Sequence, residues 1–147
     1  MVPERLVVSV KKIQDTILIC APVISQYAAV GALQAGRAYC QSQLASILEV
    51  RKIFLQELEA IKPFCVIPTA AGAFYFLLRL NTRWKPMDLV ESLVRDYRVA
   101  VIPGTTFGLE TGCYLRVAYG ALQKDTAAEG IGRLVRGLKA LVPLKRS

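Results

Sequence analysis

Cys113-Tyr-Leu-Arg-Val-Ala-Tyr-Gly120 is the stretch whose reading decides the fold. With the two-residue period of a strand, Cys113, Leu115, Val117 and Tyr119 point one way, and Tyr114, Arg116, Ala118 and Gly120 point the other. The first set predicts a buried face. The second carries a single charge in mid-strand. A guanidinium there needs an anionic or hydrogen-bonding partner, because an unpaired buried charge is costly. Its planar fork of donors fits a carboxylate or a phosphate through two parallel bonds. No acidic residue adjoins Arg116 in the sequence. Pattern and spacing therefore leave two roles open for it, a ligand contact or one half of a structural salt bridge.

Upstream of this strand, Val99-Ala-Val-Ile102 reads as a short buried strand ending in the turn Pro103-Gly104. Phe64–Ile67 and Ala73–Leu80 read as two more strands, with Phe74, Tyr75 and Phe76 taken as core. Arg79 sits at the polar end of its strand beside Asn81 and reads as a solvent-facing arginine, an internal contrast to Arg116. Pro86 opens an amphipathic helix with Val90, Leu93, Val94 and Tyr97 inward, and with Glu91 and Arg95 spaced to pair outside. Downstream, Thr126-Ala-Ala-Glu129 has capping-box spacing and predicts the start of a last helix. Ile131, Leu134, Val135, Leu138 and Val142 form its core face, and Pro143 ends it. Gly130, Gly132 and Gly137 weaken that helix intrinsically, so it depends on packing.

The first sixty residues are helical in pattern. Pro3 suits a helix start, and Leu6, Val10, Ile13 and Ile17 repeat at helical spacing. After Pro22, Ser25 is placed to cap a short helix running through Leu33 and stopping near Gly36. A longer helix over about 39–61 follows, with Leu44, Ile47, Leu48, Leu55, Leu58 and Ile61 as its apolar stripe, closed by Pro63. The order predicts an α/β or α+β domain in which N-terminal helices precede a small sheet with packed helices.

Composition narrows the function. At 147 residues the chain has the size of one domain. Its hydrophobic fraction of 54% exceeds the usual level, which favours apolar surface meant for a partner or for another part of a larger protein. The net charge is +8, but the basic residues are scattered. Only Arg133, Arg136, Lys139, Lys145 and Arg146 approach a cluster, which reads as a solvated helix face rather than a nucleic-acid site. Cys20, Cys40, Cys65 and Cys113 form no C-x-x-C pair and read as reduced core cysteines of a cytosolic protein. There is no histidine, hence no histidine ligand, general base or triad. No stretch reads as a signal peptide or a membrane span. Gly104, Gly108 and Gly112 match neither a P-loop nor a dinucleotide fingerprint, and the carboxylates show no acid–base pairing.

A resemblance rests on several short motifs in order. They are Lys12-Ile-Gln-Asp15, Pro22 with Ser25-Gln26, Gly72-Ala-Phe-Tyr75, Val99-Ala-Val-Ile-Pro-Gly104, Phe107-Gly108, Leu115-Arg-Val-Ala-Tyr119, Glu129-Gly130 and Arg133-Leu134. Together, over about 11–142, the chain resembles the C-terminal part of the class I and II aminotransferases, pyridoxal-phosphate enzymes of the aspartate aminotransferase fold. The resemblance implies that 1–36 is a helical segment from the end of the large domain and its connection. It implies that 37–147 is the small C-terminal domain. It further implies that Arg116 binds the α-carboxylate of an amino-acid substrate, with Tyr114 and Tyr119 packed around the strand and the 103–108 loop near the active-site mouth. Pyridoxal 5'-phosphate and a homodimer are expected of the full-length enzyme. In the family the Schiff-base lysine and the cofactor's other partners lie upstream of the segment matching Lys12-Ile-Gln-Asp15. None of the eight lysines here has the family's serine- or threonine-lysine context. The expectation is a carboxylate-binding fragment without its large domain, inactive alone and forming no covalent cofactor adduct. The alternative is a non-catalytic binding or oligomerisation domain derived from the same fold.

Overall fold

Alternation in the Arg116 stretch produces one of the two interior strands of an antiparallel sheet. A computed structural model describes residues 2–120 and 123–142. Within these, β1 (Cys65–Val66), β2 (Tyr75–Leu80), β3 (Ile102–Pro103) and β4 (Cys113–Ala118) form one sheet in the order β1-β2-β4-β3, antiparallel throughout. The helices are α1 (Glu4–Ile17), α2 (Val23–Leu58), α3 (Pro86–Tyr97) and α4 (Lys124–Leu141). A wholly antiparallel sheet whose core face packs against the end of α2, α3 and α4 is an α+β arrangement.

The chain divides into two compact units, Met1–Ser42 and Gln43–Ser147. The first contains α1 and the start of α2, and none of the α1 side chains is buried. Leu6, Val10, Ile13 and Ile17 all face solvent. Pro22 cannot donate into a helix but accepts from the Ser25 and Gln26 amides, so α2 begins at Val23. Ser25 therefore lies inside the helix and does not cap it. Gly36, at φ 64 and ψ −158, interrupts the helical backbone of α2, which accounts for the stop expected near it.

The second unit holds one core. Phe76, Leu78 and Leu80 of β2 and Cys113, Leu115 and Val117 of β4 are buried together with Val50, Phe54 and Leu58 of α2, Leu89 and Leu93 of α3, and Leu134 and Leu138 of α4. The core face expected for α4, including Ile131, Val135 and Val142, is buried as read. Gly137 shows why a weak helix former is tolerated there. A Cβ at that position would lie 2.7 Å from Leu93 Cδ2 and 2.9 Å from Tyr97 Cγ, so glycine lets α3 and α4 approach closely. Packing sets this residue choice against intrinsic propensity.

Several expectations are corrected. In α2, Val50 and Phe54 are buried, whereas Leu44 and Leu48 are exposed, so the inward stripe runs through Ile47, Val50, Phe54 and Leu58. In α3, Leu89 is buried and Val94 is exposed. Arg95 pairs with Asp96 rather than with Glu91. The strand expected over Val99–Ile102 shrinks to Ile102–Pro103, with Val101 buried and Ile102 facing out. Gln123, in extended conformation, precedes α4, so Thr126 is within the helix and caps nothing. Cys20 and Cys40 are exposed, leaving only Cys65 and Cys113 in the core. Phe74 and Tyr75 also lie outside the core, and only Phe76 of that aromatic run is buried. Pro143, Lys145 and Arg146 fall outside the described residues. Among the described residues no helix is long and apolar enough to cross a membrane.

Candidate functional site

The side of the sheet opposite the core carries the candidate site. Residues alternate in strands, so Tyr75, Leu77, Arg79, Tyr114, Arg116 and Ala118 share that side. Leu77, Arg116 and Ile102 form one row across three strands, with Arg116 in the middle. Their register places the guanidinium over an apolar floor. Arg79 on β2 is exposed, as its polar setting predicted, while Arg116 is half-buried.

Among the described residues Arg116 has no carboxylate partner. The ion pairs among the described residues are Glu59–Lys62, Arg95–Asp96, Glu49–Lys124 and Glu129–Arg133. Its neighbours are aromatic instead. The guanidinium carbon lies 4.2 Å from the centroid of the Tyr75 ring and 5.2 Å from that of Phe107, both within cation–π range. Arg116 Nε is sealed from water and makes no hydrogen bond. Nη1 and Nη2 are not sealed in this way, and neither makes a hydrogen bond among the described residues. Of the two roles left open by the sequence, the structural salt bridge is absent among the described residues.

Local structure explains how the two rings reach Arg116. Tyr75 is paired across the ladder with Ala118, two residues beyond Arg116, so it meets the arginine on the diagonal. The entry into β2 is held by Tyr119, whose hydroxyl donates to the Ala73 carbonyl at 3.0 Å and whose amide donates to the Phe74 carbonyl at 2.9 Å. Tyr119 is thus a buried support, tilted against Phe54 and Phe76 with ring centroids 5.6 and 5.2 Å away. Phe107 comes from the other flank of β4. It ends the 3₁₀ turn Gly104–Phe107, which Gly108 closes at φ 80. A Cβ on Gly104 would lie 2.5 Å from Tyr114 Cβ, so glycine lets the turn rest directly on β4. Tyr114 is half-buried beneath that turn. The glycines of this loop therefore position an aromatic ring.

Tyr75 and Phe107 were not recognised as site residues from the sequence. Tyr75 reads as core in the sequence, and Phe107 reads only as part of the 103–108 loop that the resemblance places near the active-site mouth. The diagonal register across β2 and β4 is what connects Tyr75 to Arg116. Elsewhere, a cavity of about 470 Å³ lies at the far end of β2, lined by Lys62, Phe64, Cys65, Arg79, Asn81 and Cys113. Arg116 does not line it. Burial pushes the Cys65 thiol up to about 12 and the Cys113 thiol up to about 11, which keeps both protonated and unreactive near neutrality. No group of three potential metal ligands occurs among the described residues.

A guanidinium fork on a strand, without a counter-ion among the described residues, has the geometry that suits a carboxylate or a phosphate. The comparisons agree with the fold that carries it. The profile of the family "Aminotransferase class I and II" matches residues 1–134, and the chain belongs to that family. An aromatic aminotransferase of Arabidopsis thaliana is 34% identical over 132 residues, which cover 89% of this chain and 33% of that protein. A solved aminotransferase described as putative, from Silicibacter pomeroyi, is 31% identical with a TM-score of 0.74, covering 95% of this chain and 38% of the other. The α-aminoadipate aminotransferase LysN of Thermus thermophilus, solved with N-(5'-phosphopyridoxyl)-L-leucine, has a TM-score of 0.78 at 24% identity. That match covers 96% of this chain and 37% of LysN, and it speaks to the fold. The chain thus spans about a third of the length of the curated relatives it matches.

The family implies pyridoxal phosphate. A Schiff-base lysine is activated by desolvation or by a neighbouring cation. Every lysine among the described residues is exposed, from Lys11 to Lys139. None of these lysines has the desolvated setting that activates a Schiff-base amine.

Proposed function

We propose that residues 37–147 are the substrate-carboxylate-binding domain of a pyridoxal-phosphate-dependent aminotransferase. The full enzyme moves an amino group between an amino acid and a 2-oxo acid, works as a homodimer, and resides in the cytoplasm, where its free thiols stay reduced. Residues 1–36 belong to the end of the large domain and its connection. Arg116 anchors the substrate's α-carboxylate through its two Nη nitrogens. The observation that carries this reading is the half-buried guanidinium, without a salt bridge among the described residues, presented from the middle of a rigid strand. Both partners of an aminotransferase reaction carry that carboxylate, so one arginine serves both half-reactions.

Pyruvate titrated into the 147-residue protein tests the anchor. Saturable binding is expected. It should weaken by about a hundredfold in Arg116→Gln, the weight of a lost charge-assisted bidentate pair. Arg116→Lys should fall between, because it keeps the charge and loses the fork. Methyl pyruvate, which lacks the carboxylate, should not bind. Equal affinity of wild type and Arg116→Gln for pyruvate would refute the assignment.

The 147 residues alone are proposed to transaminate nothing. Incubation with pyridoxal phosphate, borohydride reduction and intact mass measurement should show no stoichiometric single-site adduct. A specific adduct accompanied by turnover would overturn this part of the reading.

A second reading, a non-catalytic binding or oligomerisation domain of the same fold, draws on the exposed apolar residues of the first unit, such as Ile13, Ile17, Ile24 and Leu33. The pyruvate titration separates the two readings, since assembly alone has no need of an open carboxylate fork.

A further inference from the structure

The two aromatic rings around Arg116 have a role beyond lining the site. An arginine side chain at a half-exposed position has several rotamers, and only some would present both Nη nitrogens to a ligand. Here Tyr75 and Phe107 reach the same guanidinium from opposite flanks of β4, at 4.2 and 5.2 Å. Cation–π contact engages the guanidinium through the ring faces and leaves its N–H donors free. Nε is sealed without a partner, whereas Nη1 and Nη2 are not sealed in this way. A donor buried without a partner is unfavourable. The conformation therefore needs compensating contacts, and the two rings are the ones at hand.

We propose that Tyr75 and Phe107 are positioning residues that hold Arg116 in one conformation, with Nε closed off and the two Nη nitrogens turned outward. A carboxylate is then received end-on, and side-on approach through Nε is blocked. The ligand half of this statement rests on the carboxylate-binding role proposed for Arg116. The orientation half stands on the ring geometry alone. Both rings are partly exposed, Phe107 by 49% and Tyr75 by 38%. Replacing either one leaves the core intact, so the variants remain folded and readable.

The test uses the full 147-residue chain labelled with ¹⁵N-arginine. Solvent exchange of each arginine Nε–H is followed by NMR, and the Arg116 signal is assigned by its loss in Arg116→Lys. Exposed Arg79, on the same side of the sheet, is the internal standard. The Arg116 Nε–H should exchange at least about tenfold more slowly than that of Arg79. Phe107→Leu and Tyr75→Leu should each bring the two rates close together. Each should also weaken pyruvate binding by about fivefold, the weight of one cation–π contact. Tyr75→Phe keeps the ring and should restore both protection and affinity.

An unprotected Arg116 Nε–H in the wild type would overturn the proposal. So would leucine variants that leave protection and pyruvate affinity unchanged. A protected Nε–H that responds to the two leucine variants but not to pyruvate would support the positioning role and refute the carboxylate role of Arg116.

Discussion

Tyr119→Ala is expected to cost about 4 kcal/mol of folding stability, the range of a buried aromatic truncated to alanine. Tyr119 is 2% exposed and is the largest of the fully buried side chains. It is tilted against Phe54 and Phe76, and such aromatic pairs contribute beyond the area they bury. Its hydroxyl also holds the Ala73 carbonyl at 3.0 Å. Ala73 sits at φ 66, a left-handed conformation that disfavours a residue with a Cβ by about 1 kcal/mol. The hydrogen bond offsets part of that cost and sets where β2 begins. Tyr119→Phe keeps the stack and loses the bond, so it should cost only about 1 kcal/mol. Urea unfolding of wild type and both variants measures the pair. Because domains of this size are stable by only about 5–15 kcal/mol, the alanine variant should be close to its unfolding threshold. A cost below about 2 kcal/mol for Tyr119→Ala would show that the aromatic stack does not carry the core. A cost for Tyr119→Phe equal to that for Tyr119→Ala would place the whole effect in the hydrogen bond.

The elements that were legible in the sequence are those whose apolar residues fit a single face. β4 shows this plainly, with Cys113, Leu115 and Val117 buried and Arg116 opposite them, as alternation requires. The last helix does so too, since Ile131, Leu134, Val135 and Leu138 fit one helical stripe. Helix α2 was harder because it carries apolar residues on more than one face. Leu44 and Leu48 compete with Val50 and Phe54 for the stripe, and only the packed sheet decides between them. Caps failed for a local reason. Pro22 and Gln123 set the starts of α2 and α4 earlier than the side chains of Ser25 and Thr126 suggested. The charge at the centre of the site was visible as an anomaly in a strand. Its aromatic neighbours were not, because Tyr75 meets Arg116 through inter-strand register and Phe107 through a turn. Neither relation is local in sequence.

Raising the pH above 9 should destabilise the second unit through its two buried thiols. Cys65 and Cys113 flank Leu80 in adjacent strands and are 4% and 2% exposed. Burial disfavours the thiolate, pushing the folded values to about 12 and about 11 from an ordinary 9.0. The folded value lies above the unfolded one, so between them the unfolded chain binds fewer protons than the folded chain. Stability linked to these groups is therefore complete below pH 9.0 and is lost as pH climbs towards 11 and 12. At about pH 10.5 each thiol should contribute a loss of roughly 2 kcal/mol, near 4 for the two. Tyrosines and lysines titrate in the same window, so the comparison needs the double variant Cys65→Ala/Cys113→Ala. Its lost side-chain volume lowers stability by an amount that does not depend on pH, while its alkaline slope should be shallower than that of the wild type. Urea midpoints from neutral pH to about pH 10.5 supply both slopes. Parallel slopes would mean that the buried thiols are not what limits the alkaline range. Exposed Cys20 and Cys40 provide the chemical counterpart in the same protein. At mildly alkaline pH they should react with a thiol reagent while Cys65 and Cys113 stay protected until the second unit opens.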